Sequence, residues 1–141
     1  MSKFSLIACT VLAMSGFGLA AEAADPAPIK IGVIASYSGP YADYGRQFDD
    51  GIALWLDEHG GKLGGHPVEI VKKDVPGAAP DLAKRVAQEL VVKDKVNFFA
   101  GLDFSPNAYA VGAVAKEAKI PAIVMNASSS AITTQSPLPS V

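Results

Sequence analysis

Four short apolar runs, each followed by a stretch of loop or helix character, restrict this chain to very few folds. They are "IKIGVIAS" (29–36), "VEIVKKD" (68–74), "VNFFAG" (96–101) and "IPAIVMN" (120–126). Each is rich in Ile, Val or Phe and too short for a helix, so each reads as a strand. From about Gln47 to His59, residues Phe48, Ile52, Trp55 and Leu56 recur at helical spacing, which places Trp55 in the core. Asp49, Asp50, Asp57 and Glu58 then fall on the solvent side, and "HGGKLGGHP" (59–67) stops the helix with its glycines and proline. Asp81 is positioned to cap a second helix running to about Asp94, with Leu82, Val86 and Leu90 inward. A third helix spans 107–119 and buries Val111, Val114, Ala115 and Ala118; "ASSSAITTQSP" (127–137) opens another loop or helix.

Strands alternating with helices in this order predict an α/β fold, a Rossmann-like parallel sheet with helices on both faces. Right-handed crossovers would carry every strand-to-helix loop to the carboxyl edge of the sheet, where open α/β sheets bind ligands. The loops in question are 37–45, 101–107 and 125–133, and they share a chemistry. The first carries Tyr37, Ser38, Tyr41 and Tyr44; the second Asp103, Ser105 and Asn107; the third Asn126, Ser128, Ser129 and Ser130. Three of the chain's four tyrosines thus fall within eight residues, and aromatic walls are typical of small-molecule pockets.

Ser105-Pro106-Asn107 reads as an N-cap serine followed by proline at the first helical position. The same geometry, with its free N–H groups and helix dipole, would also seat an anion. Ser128, Ser129 and Ser130 read either as a solvated loop or as hydroxyls and amides that clasp a carboxylate from the neighbouring strand end.

Several function classes are disfavoured. A formal charge of -2 over 141 residues gives no footprint for nucleic acid. No G-x-S-x-G elbow, P-loop or G-x-G-x-x-G follows a strand, so no catalytic residue is expected. His59 and His66 flank a glycine-rich turn without metal-ligand partners, so no metal and no cofactor are expected.

The opening residues have the anatomy of an export signal. A lysine lies near the start, an apolar stretch runs from Leu6 through Leu12 and beyond, and Ala21-Glu22-Ala23 supplies the small-x-small pattern. Cleavage is expected after Ala23, with Ala20 as the weaker alternative, and the periplasm as destination. The single cysteine, Cys9, lies inside this leader with only eight residues before it, too few for a lipoprotein signal. The mature chain then has no disulfide.

With these residues in view, "IKIGVIASYSGPYADYGRQFDDGIALWLDEHGGKLGGHPVEIV" resembles the opening of type I periplasmic solute-binding proteins of the branched-chain amino-acid class, which serve ABC importers. The likeness continues through "FFAGLDFSPNAYAV" to "IPAIVMNASSS", over nearly all of residues 28–137. "VMNASSSAITTQSP" is similar to a subgroup that binds aromatic acids such as benzoate derivatives. The resemblance implies a partial N-terminal lobe over 24–141 behind a signal at 1–23, the second lobe lying outside this sequence. It implies that Ser105 holds the carboxylate of a ligand, that Ser128 and Ser130 contact it from the next loop, and that Tyr44 lines the cleft. Asp103 and Phe104 vary across the family and would tune the ligand. The partners implied are a small carboxylate-bearing solute and an ABC permease in the inner membrane, the protein itself being monomeric. A sensory binding lobe on the same fold, or a small α/β hydrolase, are the alternatives.

Overall fold

The computed structural model describes residues 26–134. Strand β1 (Ile29–Ala35) leads through a 3₁₀ turn (Gly39–Tyr41) into helix α1 (Ala42–Glu58). A short strand β2 (Lys62–Leu63) turns back into β3 (His66–Asp74), and helix α2 (Pro80–Glu89) is followed by a π-helical turn (Leu90–Asp94). Strand β4 (Phe98–Gly101), helix α3 (Ser105–Ala118) and the single turn α4 (Ala131–Thr134) complete the described residues. The sheet order is β2-β3-β1-β4, with β1 parallel to both β3 and β4 and only the β2–β3 hairpin antiparallel. The α/β architecture and parallel sheet expected from the apolar runs are therefore present.

The sheet has one closed face. Ile34 and Phe99 pack there with Ala83, Val86, Ala87 and Leu90 below them and with Val111, Val114 and Ala115 of α3. Gly32 makes room for Leu90, whose Cδ1 lies 2.9 Å from where a Cβ on residue 32 would stand. On the other face, α1 lies over Ile31, Val68 and Ile70, leaving an apolar groove of about 350 Å³ that also touches Trp55, Leu63 and Met125.

Several local expectations are corrected. Helix α1 begins at Ala42 rather than Gln47, so Tyr44 sits on the helix and not in a loop. Trp55 is not a core residue: it is 39% exposed and stacks on His59 at 3.9 Å between ring centroids. Its place on the apolar stripe faces the groove, which no element fills among the described residues. Asp49 is half-buried rather than solvated, because it accepts hydrogen bonds from the Tyr37 hydroxyl (3.1 Å) and Lys72 (2.9 Å). Asp81 does not cap α2. Ala79 holds that position, Pro80 supplies the fixed φ of the first helical residue, and Asp81 lies in the first turn.

The regular α2 stops at Glu89, and the π-helical turn closes on Lys95 in the left-handed region (φ 55°). The run 120–126 pairs with β4 through one bridge only, Phe99 with Ala122. Its N–H groups at Ile123 and Met125 nevertheless donate to Phe99 and Gly101, while Pro121 has no N–H to give. The ladder is thus parallel but starts late. The export signal and the residues beyond Thr134 lie outside the described residues. No helix among the described residues is long and apolar enough to cross a membrane.

Candidate functional site

The carboxyl ends of β1, β3 and β4 and the end of the 121–127 segment converge, and a buried polar network fixes the loops leaving them. The Ser36 amide donates to the Asp103 carboxylate at 2.9 Å. The Ser36 hydroxyl donates to the Val75 carbonyl (3.1 Å) and accepts from the Gly77 amide (2.9 Å). The Asn107 side chain donates to the Gly77 carbonyl and accepts from the Ala79 amide, both at 2.8 Å. The Asn126 amide group donates to the Asp103 carbonyl at 3.1 Å. Ser36, Asp103 and Asn107 are almost fully buried, so unmade bonds there would be expensive and the loops are held in one arrangement.

Two glycines permit this closeness. A Cβ on Gly101, whose φ is +96°, would stand 2.5 Å from the Ile34 carbonyl oxygen. A Cβ on Gly45 would stand 2.5 Å from the Ser36 carbonyl, which accepts the Gly45 amide at 3.1 Å. The first brings β4 against β1 as the chain leaves the sheet; the second presses α1 onto the loop after β1.

Over this frame lies the surface that a ligand would meet. Ser105 is the first residue of α3 rather than its cap. Phe104 occupies the cap position and no side chain caps the helix. The Ser105 hydroxyl instead accepts the Ser129 amide at 3.3 Å, bringing the third loop to the start of α3. First-turn N–H groups, of which Pro106 supplies none, have no intrahelical acceptor, and with the dipole of a helix spanning fourteen residues they could seat an anion.

Of the three loop serines it is Ser129, also bonded to the Tyr109 hydroxyl at 2.6 Å, that reaches Ser105. Ser128 and Ser130 are exposed beside it, and the Ser130 carbonyl accepts from Thr133 and Thr134 at the start of α4. Beside Ser105, Phe104 meets Tyr41 and Tyr44 edge-on, at 4.9 and 6.1 Å between centroids.

The structure thus brings Ser105, Phe104 and Tyr44 into one corner and adds Ser129 and Tyr41 to it. Asp103 and Asn107 hold the loops from beneath. Ser36 was not singled out in the sequence; its position directly after the first strand is the one hint available. Tyr37 stands at the side, its phenol pushed above the usual range by burial and then by the charge and hydrogen bond of Asp49. No group of three or more His, Cys, Asp or Glu that could hold a metal ion occurs among the described residues.

A parallel α/β sheet whose carboxyl-edge loops gather hydroxyls and aromatic rings is the architecture of one lobe of a binding-protein fold. The chain belongs to the periplasmic binding protein family, whose profile matches residues 28–140. It is 48% identical to a Leu/Ile/Val-binding protein homologue of Brucella abortus over 131 residues, 93% of this chain and 33% of that protein. Among solved structures, it resembles an ABC-transporter solute-binding protein of R. palustris in complex with 4-hydroxybenzoate. There the identity is 51% and the TM-score 0.74, over 79% of this chain and 30% of the other. The LivJ substrate-binding protein of Streptococcus pneumoniae in complex with isoleucine aligns at 31% identity and a TM-score of 0.70, covering 79% and 32%. The chain therefore spans about a third of the length of the relatives it matches.

Proposed function

We propose that this chain forms part of the first lobe of an exported solute-binding protein that captures a small carboxylate and presents it to an ABC permease. The observation that carries this reading is the Ser105 hydroxyl at the start of α3: it accepts the Ser129 amide, which holds the third loop beside it, and keeps its own proton to donate to a ligand. Hydroxyl and amide donors at a helix N-terminus bind a carboxylate without a formal positive charge. Both 4-hydroxybenzoate and isoleucine, the molecules bound by the R. palustris and S. pneumoniae proteins, carry such a group.

Ser105 holds the carboxylate, Ser128 and Ser130 reach it from the exposed rim of the third loop, and Tyr44 and Phe104 wall the remainder of the ligand. Asp103 tunes the site through the backbone it holds. Residues 1–23 direct export to the periplasm, and 24–141 supply one wall of a cleft that a second lobe closes. Catalysis has no place in this reading. His59 and His66 bond to the carbonyls of Trp55 and Ala27, away from the carboxyl-edge loops.

Isothermal titration of the full-length protein with small carboxylic acids tests this. Ser105→Ala removes a hydrogen bond to a charged group, so affinity should fall roughly tenfold or more. Unchanged affinity for every acid that binds would refute the anchor.

A further inference from the structure

Tyr41 has a setting that its place in the fold does not require. It ends the 3₁₀ turn before α1 and is 45% exposed. Its ring is nevertheless held in one orientation. The edge-on contact with Phe104 fixes one side, and the ring lies over Gly77, where an added Cβ would come within 3.5 Å of it. The Tyr41 and Tyr44 rings are within 16° of parallel at 6.5 Å, and Phe104 stands at 72° and 88° to them. Two near-parallel walls and a perpendicular third make a corner whose open side favours a flat ring, which can stack on one wall and meet the next edge-on.

Phe104 is the residue before Ser105, so the corner and the anion seat are separated by a single peptide unit. A molecule spanning both is short and rigid, a ring bearing its carboxylate directly or nearly so. No free carboxylate flanking the rings in sequence serves a cationic guest on them: Asp43, between the two tyrosines, is ion-paired with Arg46, and Asp103, before Phe104, is 4% exposed and engaged by the Ser36 amide.

We propose that Tyr41 is a specificity-determining residue that selects planar aromatic monocarboxylates over aliphatic acids of the same size. This rests on the reading that Ser105 anchors the carboxylate. The pair that isolates it is benzoate and cyclohexanecarboxylate, which share the anchor group and nearly share volume but differ in flatness and π-character.

In the full-length protein, calorimetry should show benzoate bound more tightly than cyclohexanecarboxylate. Tyr41→Leu should weaken benzoate by roughly two- to tenfold, leave cyclohexanecarboxylate unchanged and so erase the preference, while Tyr41→Phe retains it. Equal loss of both acids in Tyr41→Leu, no change in either, or tighter binding of glycine betaine than of benzoate would overturn the proposal. Ser105→Ala separates the two claims. It should weaken both acids alike; if it affects neither, the anchor reading fails whatever Tyr41 does. Absence of heat from every acid would overturn both.

Discussion

The two faces of the sheet are built to different degrees. Under α2 and α3, Ile34, Leu90, Phe99 and Val111 are all 1% exposed or less. Under α1, Ile31, Val68 and Ile70 look into a groove, and Trp55 and Met125 remain 39% and 43% exposed. The start of α3 is therefore rooted in the closed half, whereas Tyr41 and Tyr44 lie at the entry to α1, the helix over the open one. Stability and ligand discrimination should separate accordingly, and substitutions can break that separation.

The largest contrast is between Leu90 and Trp55. Leu90→Ala opens a cavity beside Gly32, Val96 and Phe99 and should lower unfolding free energy by about 2–5 kcal/mol. Trp55→Ala, despite removing a larger side chain, should cost only about 1 kcal/mol, because much of that ring is already in water. Urea denaturation of both variants decides the matter; equal losses would mean that the groove is filled.

Next is the join between the halves. Gly101→Ala forces a side chain onto a φ of +96° and against the Ile34 carbonyl, so a loss of roughly 3 kcal/mol is expected. A stability equal to wild type in thermal melts would show that the carboxyl ends of β1 and β4 can part without penalty. Smaller still is Asn107→Ala, which strands the Gly77 carbonyl and the Ala79 amide; about 1–3 kcal/mol is expected. Because the loop after β3 also carries Gly77 beneath Tyr41, faster amide exchange at Gly77 and Ala79 should accompany the loss.

The sequence announced the sheet more plainly than it announced the site's wiring. Alternating apolar runs and helical stripes are local, so the parallel α/β sheet and its three long helices followed, whereas the short β2 did not and 120–126 forms only a single bridge. Trp55 was misplaced for a physical reason: helical periodicity identifies an apolar face but not whether anything covers it. Asp103 and Asn107 looked like ligand groups because polar residues in a carboxyl-edge loop have that appearance. Their bonds go to Ser36, Gly77 and Ala79, partners 28 to 67 residues away or reached only through the fold. Ser105 was legible as the start of a helix, since Ser-Pro marks one, but Phe104 and not Ser105 takes the cap position.

The smallest expected effect lies at the edge of α1, where Tyr37 donates to Asp49 and Lys72 stands 5.6 Å over its ring. Burial first, and Asp49 second, raise the phenol above its ordinary value. An unfolded tyrosine loses its proton near pH 10, while the folded one keeps it. Below about pH 10 both states hold the proton and the contribution is complete; above it the unfolded state binds fewer protons, so stability falls as pH rises. Tyr37→Phe removes that dependence and leaves Asp49 its bond to Lys72. Urea midpoints of wild type and variant should therefore converge as pH climbs above about 10. A constant difference between them would mean that Tyr37 titrates alike in both states, and that α1 is held at this edge by Lys72 alone.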